Sequence, residues 1–221
     1  FSLLDKAEAG LFKVAEGNIN KSYESMSDLI RESIKQIEEA KNQESGVIGV
    51  ASGFTALDRI TSGWQPSDLV IIAARPAMGK TSYVLSLARN AAVDFNMPVA
   101  FFSLEMSAVQ LVTRLVSSES EISSEKLRSG DLRSDEIQQI QTKIGGLSEA
   151  PIYIDDSAGL SVFELRAKAR RLKSQHGIQL LIIDYLQLMS GNGDNGGNRE
   201  QEISMISRSL KSIAKELNIP V

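Results

Sequence analysis

Past residue 69 the chain alternates between short apolar runs and longer amphipathic stretches. The runs at 69–74, 99–104, 152–154 and 180–183 have the length and the largely Val, Ile, Leu and Phe content of buried strands. Between and after them, apolar residues return at helical spacing over 80–92, 108–117, 137–144, 162–173 and 200–217. The last stretch is the clearest. Ile203, Ile206, Leu210, Ile213 and Leu217 form one stripe, with Arg208, Lys211 and Lys215 roughly opposite. Such alternation predicts an α/β fold with a mostly parallel sheet flanked by helices on both faces. Asn218-Ile-Pro-Val221 reads as the start of one more strand, so the C-terminal part of the domain is expected to be missing.

The first 45 residues differ in character. Leu4, Leu11 and Ala15 predict an amphipathic helix over 3–17. Ile30, Ile34 and Ile37 predict a second over 27–41, with Ser27 as its N-cap. Two solvated helices and a linker whose apolar stripe docks on a partner fit this pattern equally well. Residues 45–53 are Gly-rich and read as an extended hinge. The expected division is therefore a helical linker at 1–45 and an α/β domain at 46–221.

Composition narrows the chemistry. Among 221 residues, 42% are hydrophobic, so a core can form without staples. There is no cysteine, which excludes disulfides, cysteine-zinc sites and thiol catalysis and fits a reducing, cytoplasmic setting. No apolar run approaches the roughly 18 residues of a membrane helix. The net charge of −4 disfavours indiscriminate wrapping of nucleic acid, but permits a local basic groove.

Three acid-bearing or Gly-rich strand ends carry the candidate chemistry. Ala74-Arg-Pro-Ala-Met-Gly-Lys-Thr81 follows a predicted strand and opens a predicted helix, as a P-loop does, with Ala74 in the place of the usual first glycine. Backbone amides at a helix start, aided by the helix dipole, suit a nucleotide triphosphate. The cradle would comprise Ala74, Arg75, Pro76, Ala77, Met78, Gly79, Lys80, Thr81 and Ser82. Gly79 would let the backbone come close to the phosphates, Lys80 would reach the β and γ groups, and the Thr81 hydroxyl would serve magnesium. Leu180-Leu-Ile-Ile-Asp184 ends an apolar strand in a carboxylate, placing Asp184 where a Walker-B acid would hold magnesium through water. Phe101-Phe-Ser-Leu-Glu105 ends in a third acid. Glu105 is either the base that activates the attacking water or a cap for the helix at 108.

Several strings resemble the motor domain of the DnaB-type hexameric replicative helicases. They are Ser52-Gly-Phe-Thr-Ala-Leu-Asp58, Thr61-Ser-Gly-Trp64, Ala73-Ala-Arg-Pro-Ala-Met-Gly-Lys-Thr81, Phe102-Ser-Leu-Glu-Met106, Leu127-Arg-Ser-Gly130, Ile183-Asp-Tyr-Leu-Gln-Leu188 and Ile206-Ser-Arg208. They follow the family's order over about 45–221, and Ala74 matches the family too. The resemblance implies a RecA-like P-loop NTPase with ATP and Mg2+ as cofactors and Glu105 as catalytic base. It also implies a homohexamer that moves 5′ to 3′ on single-stranded DNA and separates the duplex, with a helicase loader and a primase as partners. The segment from Leu4 to Glu16 is similar to the family's linker helix. Among related proteins, a recombinase or KaiC-type ATPase shares the P-loop logic, and an inactive nucleotide-binding fragment is a third reading.

Weaker features remain. The Gly/Asn-rich loop at 190–198, with Arg199 at its exit, is either a DNA contact or an ordinary connection. The 162–173 helix carries Arg166, Lys168, Arg170, Arg171 and Lys173, a solvated or subunit-facing surface in preference to a phosphate track. His176 is expected at the surface, and Trp64 in packing.

Overall fold

The computed structural model describes residues 25–42, 46–189 and 199–221, in two compact units that divide between Gly46 and Val47. The helix expected at 3–17 and the loop at 190–198 lie outside the described residues. Of the smaller unit, Phe1–Gly46, the described part is helix α1 (Met26–Asn42) with the residues at its ends. It starts one residue earlier than expected, which makes Ser25 the capping residue instead of Ser27. The Ser25 hydroxyl accepts from the Asp28 amide at 3.2 Å and donates to its carboxylate at 2.6 Å. Met26, Ile30, Ile34 and Ile37 recur at helical spacing and are exposed.

In the larger unit the expected hinge is pinned. Val50 and Trp64 exchange backbone hydrogen bonds of 2.9 and 2.8 Å, and Ile48 and Gly49 both donate to the Ser62 carbonyl. Asp58, buried in helix α2 (Thr55–Thr61), accepts from the Ser52 and Gly53 amides at 2.9 and 3.1 Å. The Ser52-to-Asp58 string is therefore a turn closed by its own carboxylate.

Helix α3 (Lys80–Arg89) runs on into one π-helical turn, and strand β1 (Val99–Ser103) follows. The chain continues through α4 (Ala108–Ser120), α5 (Ser124–Ser129), α6 (Ser134–Lys143), α7 (Gly145–Glu149) and strand β2 (Ile152–Asp155). Helix α8 (Val162–His176), strand β3 (Leu180–Asp184) and helix α9 (Arg199–Leu217) complete it. The sheet is parallel, in the order β2-β1-β3, with Ser103 level with Asp184.

Strand alternation sorts the core into two layers. Val99 and Phe101 pack with Val84, Leu85, Leu87 and Ala88 of α3 and Leu111 and Leu115 of α4. Ala100 and Phe102 turn the other way, onto Leu165 and Ala169 of α8 and Ile206, Leu210 and Ile213 of α9. β1 is buried throughout, which explains its unbroken apolar run.

The strand expected at 69–74 forms no ladder. Val221 donates to the Asp68 carbonyl and accepts from Val70, both at 2.8 Å, and Leu181 donates to Pro220 at 3.1 Å. Bonds to the residues on either side of Leu69 follow the parallel pattern. They set residues 219–221 between β3 and the 68–70 segment, but one paired residue is too few for a strand. Beyond it, Ile71 to Ala74 have no backbone partner among the described residues. A largely apolar cavity of about 370 Å³ separates this segment from β3.

Candidate functional site

The site forms where the ends of β1 and β3 meet the start of α3. After the 69–74 segment the backbone tightens into a turn, with Met78 donating to the Arg75 carbonyl at 3.2 Å. Ala77 (φ 64°) and Gly79 (φ 82°) are both left-handed. For Ala77 that conformation costs about 1–2 kcal/mol, a local strain of the kind found at ligand sites. Close approach of the backbone to phosphates is the expected reason for glycine at 79. A Cβ there meets no protein atom within 4 Å, so the fold itself needs glycine for its φ. Gly79 is also the N-cap of α3 and offers no side-chain cap, which leaves the first amides of the helix open to an anion.

Both oxygens of Asp184 face the P-loop. Oδ2 accepts from the Thr81 hydroxyl at 2.7 Å, and Oδ1 lies 3.3 Å from the Lys80 ammonium. Asp184 is 4% exposed, so its charge is held by these partners and not by water. The Lys80 ammonium also sits 4.0 Å from the centroid of the Tyr185 ring. A carboxylate beside a hydroxyl is an oxygen donor pair that suits a hard divalent cation.

Glu105 is presented on the turn after β1. Buried Ser103 locks that turn, its hydroxyl donating to the Met106 carbonyl at 2.6 Å and accepting from the Met106 amide at 3.2 Å. Glu105 does not cap α4. Ser107 does so in a capping box with Gln110, and Asp156 accepts from the Ala108 amide at 2.8 Å. Glu105 faces a cavity of about 440 Å³ that is also lined by Ala74, Arg75, Pro76, Ala77, Gly79, Lys80, Thr81 and Ser82. Met78, 73% exposed, is the one residue of 74–82 outside that lining.

Four lining residues were given no role from the sequence: Met106, Tyr185 and Gln187, which stand within the quoted strings, and Arg114, which stands in none. Arg114 is the single cation of α4, and among the described residues it has no hydrogen-bonding or ion-pair partner. A lone arginine two turns after Ser107 was the available signal. The site's first helix is steadied from outside. Tyr83 stacks on Phe54 at 5.2 Å, and burial, then the Asp58 charge, push its phenol above the ordinary 10.0.

The candidate DNA-facing groups are not brought into this cavity. Arg199 pairs with Glu202 and donates to the Gln187 carbonyl. Arg166 and Arg170 both pair with Glu216 of α9, and Lys168 with Asp155 and Ser157. The basic face of α8 is thus largely committed to neighbours within the chain. His176 is exposed and stacks on Tyr153 with 4.2 Å between centroids, and Trp64 packs against the first core layer.

The model of the DnaB-like helicase C terminal domain matches residues 49–221. The replicative DNA helicase DnaC of Bacillus subtilis (strain 168) is 44% identical over 219 residues, 99% of this chain and 48% of that protein. The replicative DNA helicase DnaB of Rhodothermus marinus is 47% identical over 224 residues, 100% of this chain and 24% of that protein. The chain therefore spans about half or less of the length of these relatives. Among solved structures, one ATPase domain superposes with a TM-score of 0.83 at 36% identity, covering 90% of this chain and 70% of that one. A DnaB-like replicative helicase studied with its primase gives 0.77 at 33%, covering 98% and 52%. Among the described residues no helix is long and apolar enough to cross a membrane. The P-loop, the two acidic strand ends and this match over most of the chain place it in the family of DnaB-like helicase C-terminal domains, a nucleotide-binding ATPase domain of replicative helicases.

Proposed function

We propose that the chain binds ATP with Mg2+ in the 440 Å³ cavity and hydrolyses it to drive translocation on single-stranded DNA and duplex unwinding, as one subunit of a cytoplasmic homohexamer. The observation that carries this reading is the convergence of Lys80, Thr81 and Asp184 at the uncapped start of α3. The amides of 77–82 cradle the phosphates, and Lys80 supplies their countercharge. Thr81 and Asp184 hold the metal, which when bound offsets charge on the transferring phosphoryl group. Glu105 orients and deprotonates the attacking water.

Arg199, at the exit of the 190–198 loop, is the proposed DNA contact. The exposed stripe of α1 docks on the neighbouring subunit, as part of a linker at 1–45 that precedes the motor at 46–221. One solved relative is described with its primase, and a primase and a helicase loader are the proposed protein partners. The test is calorimetric titration of the chain with Mg-ATP beside Lys80→Ala. We expect at least about a tenfold loss of affinity, about 1.4 kcal/mol. Equal affinities would overturn the assignment of the P-loop.

A further inference from the structure

We infer that Tyr185 is a positioning residue that parks the Lys80 ammonium when no nucleotide is present, so that binding must lift the lysine off the ring. The inference rests on the nucleotide-binding reading of the cavity. The geometry has three parts. The ammonium lies 4.0 Å from the Tyr185 centroid, within the range where a ring's negative face attracts a cation. It is also 3.3 Å from Asp184 Oδ1, while Oδ2 is taken by Thr81. Tyr185 lines the same cavity as the P-loop, so the parked position is inside the site and beside the place where phosphates would lie.

These four groups are therefore engaged with one another. Lysine, hydroxyl, carboxylate and ring satisfy one another, and a metal–phosphate ligand competes with each contact. A cation that claims Thr81 and Asp184 removes the lysine's carboxylate partner. The ring is then the last group holding the ammonium back from the phosphates. Any attraction it exerts in the free protein is subtracted from the ligand's affinity, because a ligand gains only the difference between the two states. Tyr185 is placed to do this by its position directly after Asp184, at the end of β3. The half-buried ring faces into the cavity, and its backbone carbonyl is engaged by the Leu188 amide at 3.1 Å.

The experiment compares wild type, Tyr185→Leu and Tyr185→Phe by calorimetric titration with Mg-ATP, each also in a Lys80→Ala background. Tyr185→Leu should tighten binding two- to fivefold (about 0.5–1 kcal/mol at 1.4 kcal/mol per tenfold). Tyr185→Phe keeps the ring face and should match wild type. A second arm needs no ligand. In denaturant unfolding of the nucleotide-free chain, the Lys80→Ala and Tyr185→Leu changes should be non-additive by the same two- to fivefold in the folding equilibrium. Unaltered affinity in Tyr185→Leu, equal tightening in Tyr185→Phe, or additive unfolding effects would each overturn the parking role. Wild type and Lys80→Ala binding Mg-ATP alike would instead sink the underlying nucleotide reading, with the unfolding arm still deciding whether ring and lysine are coupled.

Discussion

Replacing Glu105 by Gln separates chemistry from architecture more cleanly than any other single change at the site. Glu105 is exposed, and among the described residues its side chain has no hydrogen-bonding or ion-pair partner. The turn that carries it is held by Ser103, and the helix that follows is capped by Ser107 and Asp156. Stability should therefore change by no more than about 0.5 kcal/mol, the usual range for a surface substitution without partners. By contrast Ser107→Ala, which removes a capping box, should cost about 1 kcal/mol. ATP affinity should also hold, because the amide keeps the carboxylate's size while Lys80, Thr81 and Asp184 stay in place. Turnover should fall by about 10²–10⁴, since the amide cannot accept the proton of the attacking water. The assay is steady-state ATPase at saturating Mg-ATP, on this chain and on a version extended to the relatives' length, with denaturant unfolding and nucleotide titration alongside. A Glu105→Gln protein that turns over at the wild-type rate would refute the assignment of the base. One that loses more than about 1 kcal/mol of stability would show that the turn, and not the reaction, needs the carboxylate.

Other outcomes follow from the same geometry. Leu210→Ala should cost about 2–5 kcal/mol by thermal or denaturant unfolding, because Leu210 is 2% exposed in the layer beneath β1 and β3. Glu136 is held below the ordinary 4.5 by the Arg133 backbone amide first and the Lys126 ammonium second. A depressed carboxyl contributes stability above its unfolded pKa and loses it as pH falls through the folded value. Glu136→Gln should therefore flatten the fall in Tm below about pH 4.5, and an unchanged pH profile would refute the pairing. Ile34→Asp puts a charge on the exposed stripe of α1; it should leave the larger unit's unfolding untouched yet weaken assembly of the extended protein in sedimentation. An unaltered oligomer would leave that stripe as plain surface.

Much of this was readable because the deciding forces are local in the chain. The apolar runs of β1 and β3 are continuous because both strands are covered on both faces, and a continuous run is a strong strand signal. The stripe Ile206, Leu210 and Ile213 faces the sheet as its spacing implies. The turn into α3 was legible because a glycine before a helix is written in sequence. What escaped depends on contacts distant along the chain. The 69–74 run has a strand's composition, but its status is decided by the neighbour that pairs with it, and composition says nothing of that neighbour. The residues at 46–53 look loose for their glycines, yet are tied down by Ser62, Trp64 and Asp58. The basic face of α8 looked available because its acid, Glu216, lies about fifty residues away on α9. Arg114 stands in no motif, and Tyr185 stands in one without a role read from it; both are recognised by where the fold delivers them.

The backbone of Ile71 to Ala74, unpaired among the described residues, bears on how the chain behaves in a tube. A row of free amides and carbonyls beside an exposed Ile71 and an apolar slot is an open template for another extended segment. The same four residues lead directly into the phosphate cradle. Molecules that clump edge to edge there would bury the approach to residues 75–82, so a preparation should lose ligand capacity with concentration while every side chain of the candidate site stays intact.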